Sequence, residues 1–572
     1  MKRWLIFTGL ILLITASLVW TEKKRVAGSA GPGAVLYFVA DTEREMTRLP
    51  VAFTAMPDDE EIKIGDEMAR RYVNPTDQGG RKRPLSATVT EDYVREVGER
   101  VSAHARRKLP YRFHYIDQPW VVNAFALPGG HVFIGKGLIS LMDSEDELAA
   151  VLGHEVEHID YYHAAERVQT ERALRKVPLG VLVAIPVEVF EAGYSKDEEL
   201  EADREGTRLA VAAGYSPLGA LRMFETYERL YREYVTKAET PQEELAGVAM
   251  ETLEGYFRSH PLTSERIAQV RRMITAENWG DLTSERPLRI AYVLWGERAR
   301  HAHEQHQYEH AVRAATYSLK LQPDQPGVLE VLARAQFMLA DFEAAAATDR
   351  RLLERKPADV DLACRYASAL GARGDPAMAA REFQEWLAAA KVPDAGVIAE
   401  MKVDAAGLWL LAGNSKPAAG IERELKRHHD NPRTPEMVGN LGSWYYRAGR
   451  YDRAASLLRS AMEQRPQETA FEIQLGWTLV AQRSYGSALG WFTELVLRVG
   501  SLPEAEMGAA VAKWESRQPD DALVHFGVAI RDEPVWLNDR WVKALYAPDV
   551  AKSIAEMRAE RERRQKKDRG MR

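Results

Sequence analysis

Hydrophobic positions change their period several times along this chain. From Trp4 to Trp20 they run without a charge, flanked by Lys2 and Arg3 on one side and Lys23, Lys24 and Arg25 on the other. An apolar run behind a basic start reads as a secretory signal or a signal anchor, at the short end of what spans a bilayer. After a Gly/Ala-rich linker, Asp58 to Val73 is amphipathic at the helical period, bracketed by Pro50, Pro57 and Pro75. A polar loop, "NPTDQGGRKRPLS", separates it from a second helix, "TEDYVREVGERVSAHARR", whose apolar Tyr93, Val94, Val97 and Val101 share a face. The segments "YRFHYID" and "HVFIGKGL" then alternate as strands do, and "VVNAFALPGG" joins them through a Pro-Gly-Gly turn. A third helix opens at Ser144, with Glu147 three residues on as a capping box and Leu148, Val151 and Leu152 on its apolar face. Val177 to Phe190 is apolar but short and broken by Pro186, which predicts a buried helix or cleft lid rather than a membrane span. To about residue 285 the pattern is therefore α+β, mostly helical with a small sheet.

From about residue 286 the period becomes that of alanine-rich helices, and it repeats. Gly442, Ala454, Leu458, Ala461 and Pro466 fall at tetratricopeptide spacing. A shift of 34 puts Gly476, Ala488 and Phe492 in register, and a further shift reaches Ala510, Ala522, Phe526, Ala529 and Pro534. Upstream, Ala311, Ala345 and Ala379 are also 34 apart, and one repeat near Ala419 is stretched. Small residues at helix crossings, large residues between repeats and a closing proline build an all-α solenoid. Trp444, Tyr445, Tyr446, Trp477 and Trp491 either line its concave face or pack between repeats, the latter being usual at this spacing. The charged end, "RAERERRQKKDRGMR", reads as a solvated helix or tail.

Composition narrows the functions. The chain has 572 residues, enough for several domains, and a net charge of −7, which offers no basic field to nucleic acid. Its one cysteine, Cys364, excludes an intramolecular disulfide and a Cys-rich zinc site.

The third helix carries "HEVEH": His154, Glu155, Val156, Glu157 and His158. Residues four apart share a helix face, so His154 and His158 can bind one zinc ion while Glu155 acts as general base on a water. A catalytic zinc needs a third ligand. A histidine six residues after His158 is excluded, because that position is Ala164. His163, five residues on, points around the helix. Glu199 and Asp203, four apart in "KDEELEADREG", offer a carboxylate from a second helix and an acceptor for a ligand histidine's N–H. Glu157 and Asp160 read as solvated, and His163 as packing.

The motifs "NAFALPGGHVFIGKGLI", "DELAAVLGHEVEH", "ELEADREG" and "SHPLTSERI", in this order over about residues 55–275, resemble the zinc metallopeptidase family of HtpX and the CAAX prenyl proteases, of gluzincin type. The arrangement of export signal, peptidase domain and C-terminal repeats is nearer the periplasmic BepA-type peptidases than HtpX or the prenyl proteases, which carry several membrane spans. The resemblance implies one Zn²⁺ per chain on His154, His158 and Glu199, with Glu155 as catalytic base and Glu201 on another face. It also implies that His260 is a possible fourth ligand or regulator and that Arg266 lines the cleft or pairs with a carboxylate. "NAFALPGG" would be an edge strand beside the metal that takes substrate as an added strand at Asn123 and Ala124, with Gly129 and Gly130 permitting the tight return. His260 and Tyr194 are candidates for stabilising the oxyanion.

The expected organisation is a signal peptide or N-terminal membrane anchor (1–25), a linker (26–57), a zinc-metallopeptidase domain (58–285), about seven tetratricopeptide repeats (286–545) and a charged tail (546–572). The expected activity is that of an exported zinc metalloendopeptidase in the periplasm of a Gram-negative-type bacterium, soluble or anchored to the inner membrane by residues 4–20. Misfolded or misassembled envelope proteins would be its substrates, and the repeats would recruit them or envelope assembly proteins; no nucleic acid is expected as a partner. The alternatives are a repeat-based chaperone or scaffold with latent proteolysis, and a zinc-stabilised structural domain.

Overall fold

The computed structural model describes residues 56–70, 72, 84–174, 194–237, 260, 264–277, 279, 285–428, 431–466, 468–500 and 502–570. The apolar runs Trp4–Trp20 and Val177–Phe190, with the linker up to residue 55, lie outside the described residues. Among the described residues no helix is long and apolar enough to cross a membrane. The chain divides into two compact units, Met1–Val293 and Leu294–Arg572.

In the first unit, α1 (Asp58–Ala69) follows Pro57 and ends four residues before the predicted Val73. α2 (Leu85–Ser102) begins five residues before the predicted Thr90, directly after Pro84. Both prolines are N-caps with extended ψ, 140° at Pro57 and 150° at Pro84, and their carbonyls accept the first backbone hydrogen bonds of the helix. Leu85 is exposed, so the apolar period gives no sign of this start. α2 also stops before the predicted Arg107, because the backbone N–H groups of Arg106 and Arg107 turn away to the Asp160 carboxylate, at 2.8 and 2.5 Å.

Three strands follow: β1 (Arg112–Ile116), β2 (Ala124–Leu127) and β3 (His131–Gly135), in the order β1-β3-β2. β1 runs parallel to β3, pairing Arg112 with His131, and β2 runs antiparallel to it, pairing Ala124 with Ile134. The "NAFALPGG" stretch is thus itself a strand at the sheet edge, returned through Gly129 and Gly130, both at positive φ.

α3 (Glu145–Asp160) is the centre of this unit. Its capping box is formed, with the Ser144 side chain accepting from the Glu147 backbone, and all of its residues are buried. It packs against α2, β2, α5 (Lys196–Ala212) and α6 (Leu218–Lys237). The expectation that Glu157 and Asp160 are solvated is wrong: they are 2% and 1% exposed, because α3 is covered on every side. The α3–α5 approach is set by two glycines. A Cβ on Gly206 would stand 2.7 Å from the His154 backbone nitrogen, and one on Gly153 would stand 2.7 Å from the Gly206 carbonyl oxygen. After a break at Tyr161 and Tyr162 the chain re-enters helix as α4 (His163–Leu174), and α7 (Ser264–Ala276) packs on α5.

The second unit and the residues leading into it are a row of helix pairs, from Ala291–Glu304 with Tyr308–Leu321 to Pro503–Glu515 with Pro519–Asp532. The turn within each pair carries a left-handed residue: His306, Ala340, Gly374, Gly413, Gly449, Arg483 and Arg517. These recur every 34 residues except on either side of Gly413, where the helix Ala395–Leu411 runs to 17 residues and stretches the repeat. Phe492 shows how large and small residues alternate: its fully buried ring occupies the space that a Cβ on either Gly476 or Gly508 would need. Trp444, Tyr445, Tyr446 and Trp477 are buried in the repeat core, and Trp491 packs against it half-buried. The final helix, Pro548–Gly570, is not wholly solvated, since Val550, Ile554 and Met557 are buried before its charged end.

Candidate metal centre

The four-residue spacing on α3 places His154 and His158 side by side, with Nε2 atoms 3.1 Å apart. α5, held close by the glycine pair, supplies Glu199, whose Oε2 lies 3.5 Å from His154 Nε2 and whose Oε1 lies 3.5 Å from His158 Nε2. His260 approaches from the segment before α7, with Nδ1 3.1 Å from His154 Nε2 and 2.9 Å from Glu199 Oε1. All four side chains are buried, and their donor atoms lie within 4.8 Å of one another.

These separations fit a metal ion. Donors 2.0–2.1 Å from a tetrahedral ion stand about 3.3 Å from each other. Two imidazole nitrogens and a carboxylate at such spacing, in a buried space, are a zinc-type donor set. Burial alone would raise the Glu199 carboxyl, but Arg266, then His260 and His154, hold it well below the usual carboxylate range. It is therefore anionic, as a ligand must be. Burial pushes the His158 imidazole well below its usual value, which keeps it neutral.

Asp203, one turn beyond Glu199, receives His154 Nδ1 at 3.0 Å. Arg266 pairs with carboxylates: its Nε and Nη2 lie 2.6 and 2.7 Å from the two Asp203 oxygens, and Nη1 lies 2.7 Å from Glu199 Oε2. Glu155 is fully buried and neither of its carboxylate oxygens accepts a hydrogen bond, though His260 Nε2 stands 3.4 Å from Oε1. Burial raises this carboxyl above its usual value, against the opposing pull of His260 and His154. An unpartnered carboxylate beside a donor set is placed to take a proton from a water there.

Residues 88–274 match Peptidase family M48. This chain carries an M48 peptidase domain. Over 242 residues, 39% of this chain and 45% of the relative, it is 27% identical to a putative beta-barrel assembly-enhancing protease of Vibrio cholerae. It is 28% identical to mitochondrial metalloendopeptidase OMA1 of Schizosaccharomyces pombe, over 36% of this chain and 62% of that one. It is 25% identical to the beta-barrel assembly-enhancing protease of Escherichia coli, over 37% of this chain and 44% of that one. The chain thus spans about half the length of the curated relatives it matches. Solved structures that resemble it include a tetratricopeptide repeat protein from Parabacteroides merdae, with TM-score 0.29 and 12% identity over 47% of this chain and 98% of that one.

Around the M48 centre the structure adds residues that spacing does not reveal. Tyr194 is buried and stacks on His158 with ring centroids 3.6 Å apart, and its hydroxyl has no hydrogen-bond partner. Arg167 covers the Tyr194 ring at 3.8 Å. His163 is no mere packing residue, for its Nδ1 stands 3.1 Å from His158 Nδ1. Glu201 does lie on another face from Glu199, and there it meets His163 Nε2 at 3.4 Å. Asn123 is held in the sheet, its carbonyl accepting from Gly135 N at 2.8 Å, and the Ala124 side chain is fully buried. β2 pairs with β3 alone among the described strands.

Proposed function

We propose that the chain is an exported, zinc-dependent metalloendopeptidase of the bacterial periplasm. It would cleave misfolded or misassembled envelope proteins, with the helical repeats recruiting substrates or assembly partners. The observation that carries the reading is the buried donor set of His154, His158, Glu199 and His260 beside the unpartnered Glu155 carboxylate. The Vibrio and Escherichia relatives are named as beta-barrel assembly-enhancing proteases, which supports β-barrel proteins and their assembly as the setting in which this chain acts.

His154, His158 and Glu199 would hold the ion. Bound there, zinc supplies Lewis acidity that polarises the scissile carbonyl and acidifies a water. Glu155 accepts that water's proton and returns it to the leaving amine nitrogen. Asp203 fixes the His154 tautomer by accepting from Nδ1, and Arg266 fixes Asp203 and Glu199 together. An extended substrate would add to β2, the outer strand of the sheet, at Asn123 and Ala124 through backbone hydrogen bonds.

His260 favours a second reading. It is the fourth residue of the donor set, and a catalytic zinc site keeps one position open for water. A chain in which His260 stays in place is a repeat-based chaperone with latent proteolysis.

The test is digestion of casein and an unfolded β-barrel protein by wild type and by Glu155→Gln, with zinc content measured on both. A fall of about 10²–10⁴-fold in cleavage with zinc retained is expected. Equal cleavage by both would remove the catalytic claim.

A further inference from the structure

His158 turns its two ring nitrogens to different neighbours. Nε2 faces the donor set, while Nδ1 stands 3.1 Å from His163 Nδ1. A ring nitrogen that binds a cation carries no proton, so neutral His158 keeps its proton on Nδ1. His163 Nδ1 must then accept, which places the His163 proton on Nε2. That nitrogen lies 3.4 Å from Glu201 Oε2. One tautomer for each ring therefore satisfies all three groups.

The backbone is shaped to make this contact. On an unbroken α3, position 163 would lie five residues past His158 and face away from it. Instead the helix stops, Tyr162 adopts a left-handed φ of +65°, and α4 restarts at His163. A non-glycine residue in that region costs free energy and needs a reason in its surroundings. Arg107 covers the Tyr162 ring at 3.8 Å and donates to the Ile159 carbonyl at 2.7 Å, which pins the break from outside.

We infer that the break at Tyr162 delivers His163 as the hydrogen-bond acceptor that fixes the His158 ring for metal binding, and that Glu201 anchors His163 in turn. The two histidine ligands are then positioned differently: His154 directly by Asp203, His158 through a second imidazole ending in a carboxylate. His163 and Glu201 are positioning residues, since neither reaches the donor set. The inference rests on the metal-site reading above.

The test measures zinc affinity of the full-length protein by competition with a chromophoric chelator, together with the visible spectrum of the cobalt-loaded form. His163→Leu should weaken zinc binding about 10–100-fold and change the cobalt spectrum. His163→Gln, whose amide oxygen can accept from His158, should restore most of the affinity. Glu201→Gln should weaken binding by about 10-fold when His163 is present and have no further effect on His163→Leu, a dependence that a merely structural role would not produce. Because the Glu201 side chain is one-third exposed, Glu201→Gln carries the test if the His163 variants fold poorly. Unchanged affinity in Glu201→Gln and His163→Leu overturns the relay. Glu199→Gln is measured alongside: if it binds zinc as wild type does, the metal-site reading fails, and the relay with it.

Discussion

α3 and the repeat helices bury their residues on opposite rules. α3 buries Glu145, Asp146, Glu147, His154, Glu155, Glu157, His158 and Asp160 along one helix. The repeat helix Tyr485–Val499 buries only Ala488, Phe492 and Leu495. A buried charge costs several kcal/mol unless it is answered or neutralised, so each one on α3 calls for an account. Glu145 is answered by Tyr93, Tyr215, Arg100 and Arg289, Asp146 by the Ser216 and Arg286 backbone N–H groups, Glu147 by those of Asp143 and Ser144, and Asp160 by those of Arg106 and Arg107. Burial raises Glu157 to about 8, so it is protonated at neutral pH. What remains is Glu155 with the His154, His158, Glu199 and His260 set, a group whose excess of buried polar atoms a cation would answer. The repeats also bury acids, Asp349, Asp404, Glu472 and Glu506, but they are scattered over separate helices and are not gathered with histidines at one point.

The sharpest break of this contrast is Glu199→Gln. Removing the anionic donor should take zinc content from one ion per chain to none, while thermal unfolding of the repeats stays where it was. Retained zinc, particularly if Glu201→Gln loses it, would show that the open site on α3 was misread.

Phe492→Ala is the converse experiment. The ring fills the space left by Gly476 and Gly508, so truncation opens a cavity at a repeat junction and costs about 3–5 kcal/mol. The repeats should melt earlier in calorimetry with zinc affinity unchanged. A matching loss of affinity would mean that the two units do not keep their roles apart.

Much of the centre is legible in the sequence because its signals are local. Ser144 with Glu147 marks a helix start, and His154 with His158 marks one face. Glu199 needs a resemblance to single it out from Glu201, since both sit on one predicted helix. What escapes the sequence depends on a break or on contacts across space. His163 reads as packing because a straight helix turns it away, and the left-handed Tyr162 is invisible to periodicity. Glu157 and Asp160 read as solvated because acids on a helix usually are, and only the elements around α3 bury them. In the repeats the 34-residue period carries the fold, and it fails only around Gly413, where one helix is longer.

Between these extremes lies Gly206→Ala. The added methyl meets the His154 backbone, so α5 must move away from α3 and carry Glu199 with it. Overpacking of this kind costs about 1–3 kcal/mol. Zinc affinity should fall with stability, since one displacement causes both. A stability loss without an affinity loss would mean that Glu199 is placed by Arg266 and not by the glycine contact.

The smallest effect tests one of the acids that the repeats do bury. Asp404 is fully buried in the repeat helix Ala395–Leu411, where its Oδ1 accepts from Trp444 Nε1 and Asn440 Nδ2, both at 2.9 Å. Burial pushes its carboxyl up to about 6, from 3.8 in the open chain. An acid whose folded value is raised favours the protonated form in the fold. Its contribution is therefore present below pH 3.8 and is lost as pH rises through about 6. Two pKa units correspond to roughly 2–3 kcal/mol of penalty at neutral pH. An asparagine side chain at this position keeps an oxygen for both donors and carries no charge. Asp404→Asn should therefore stabilise the repeats by about 2 kcal/mol at pH 8 and by almost nothing at pH 4. Denaturant midpoints at the two pH values measure this. Destabilisation at pH 8 would mean that the carboxylate is ionised and held by its network, and that the repeats too contain a charge worth burying.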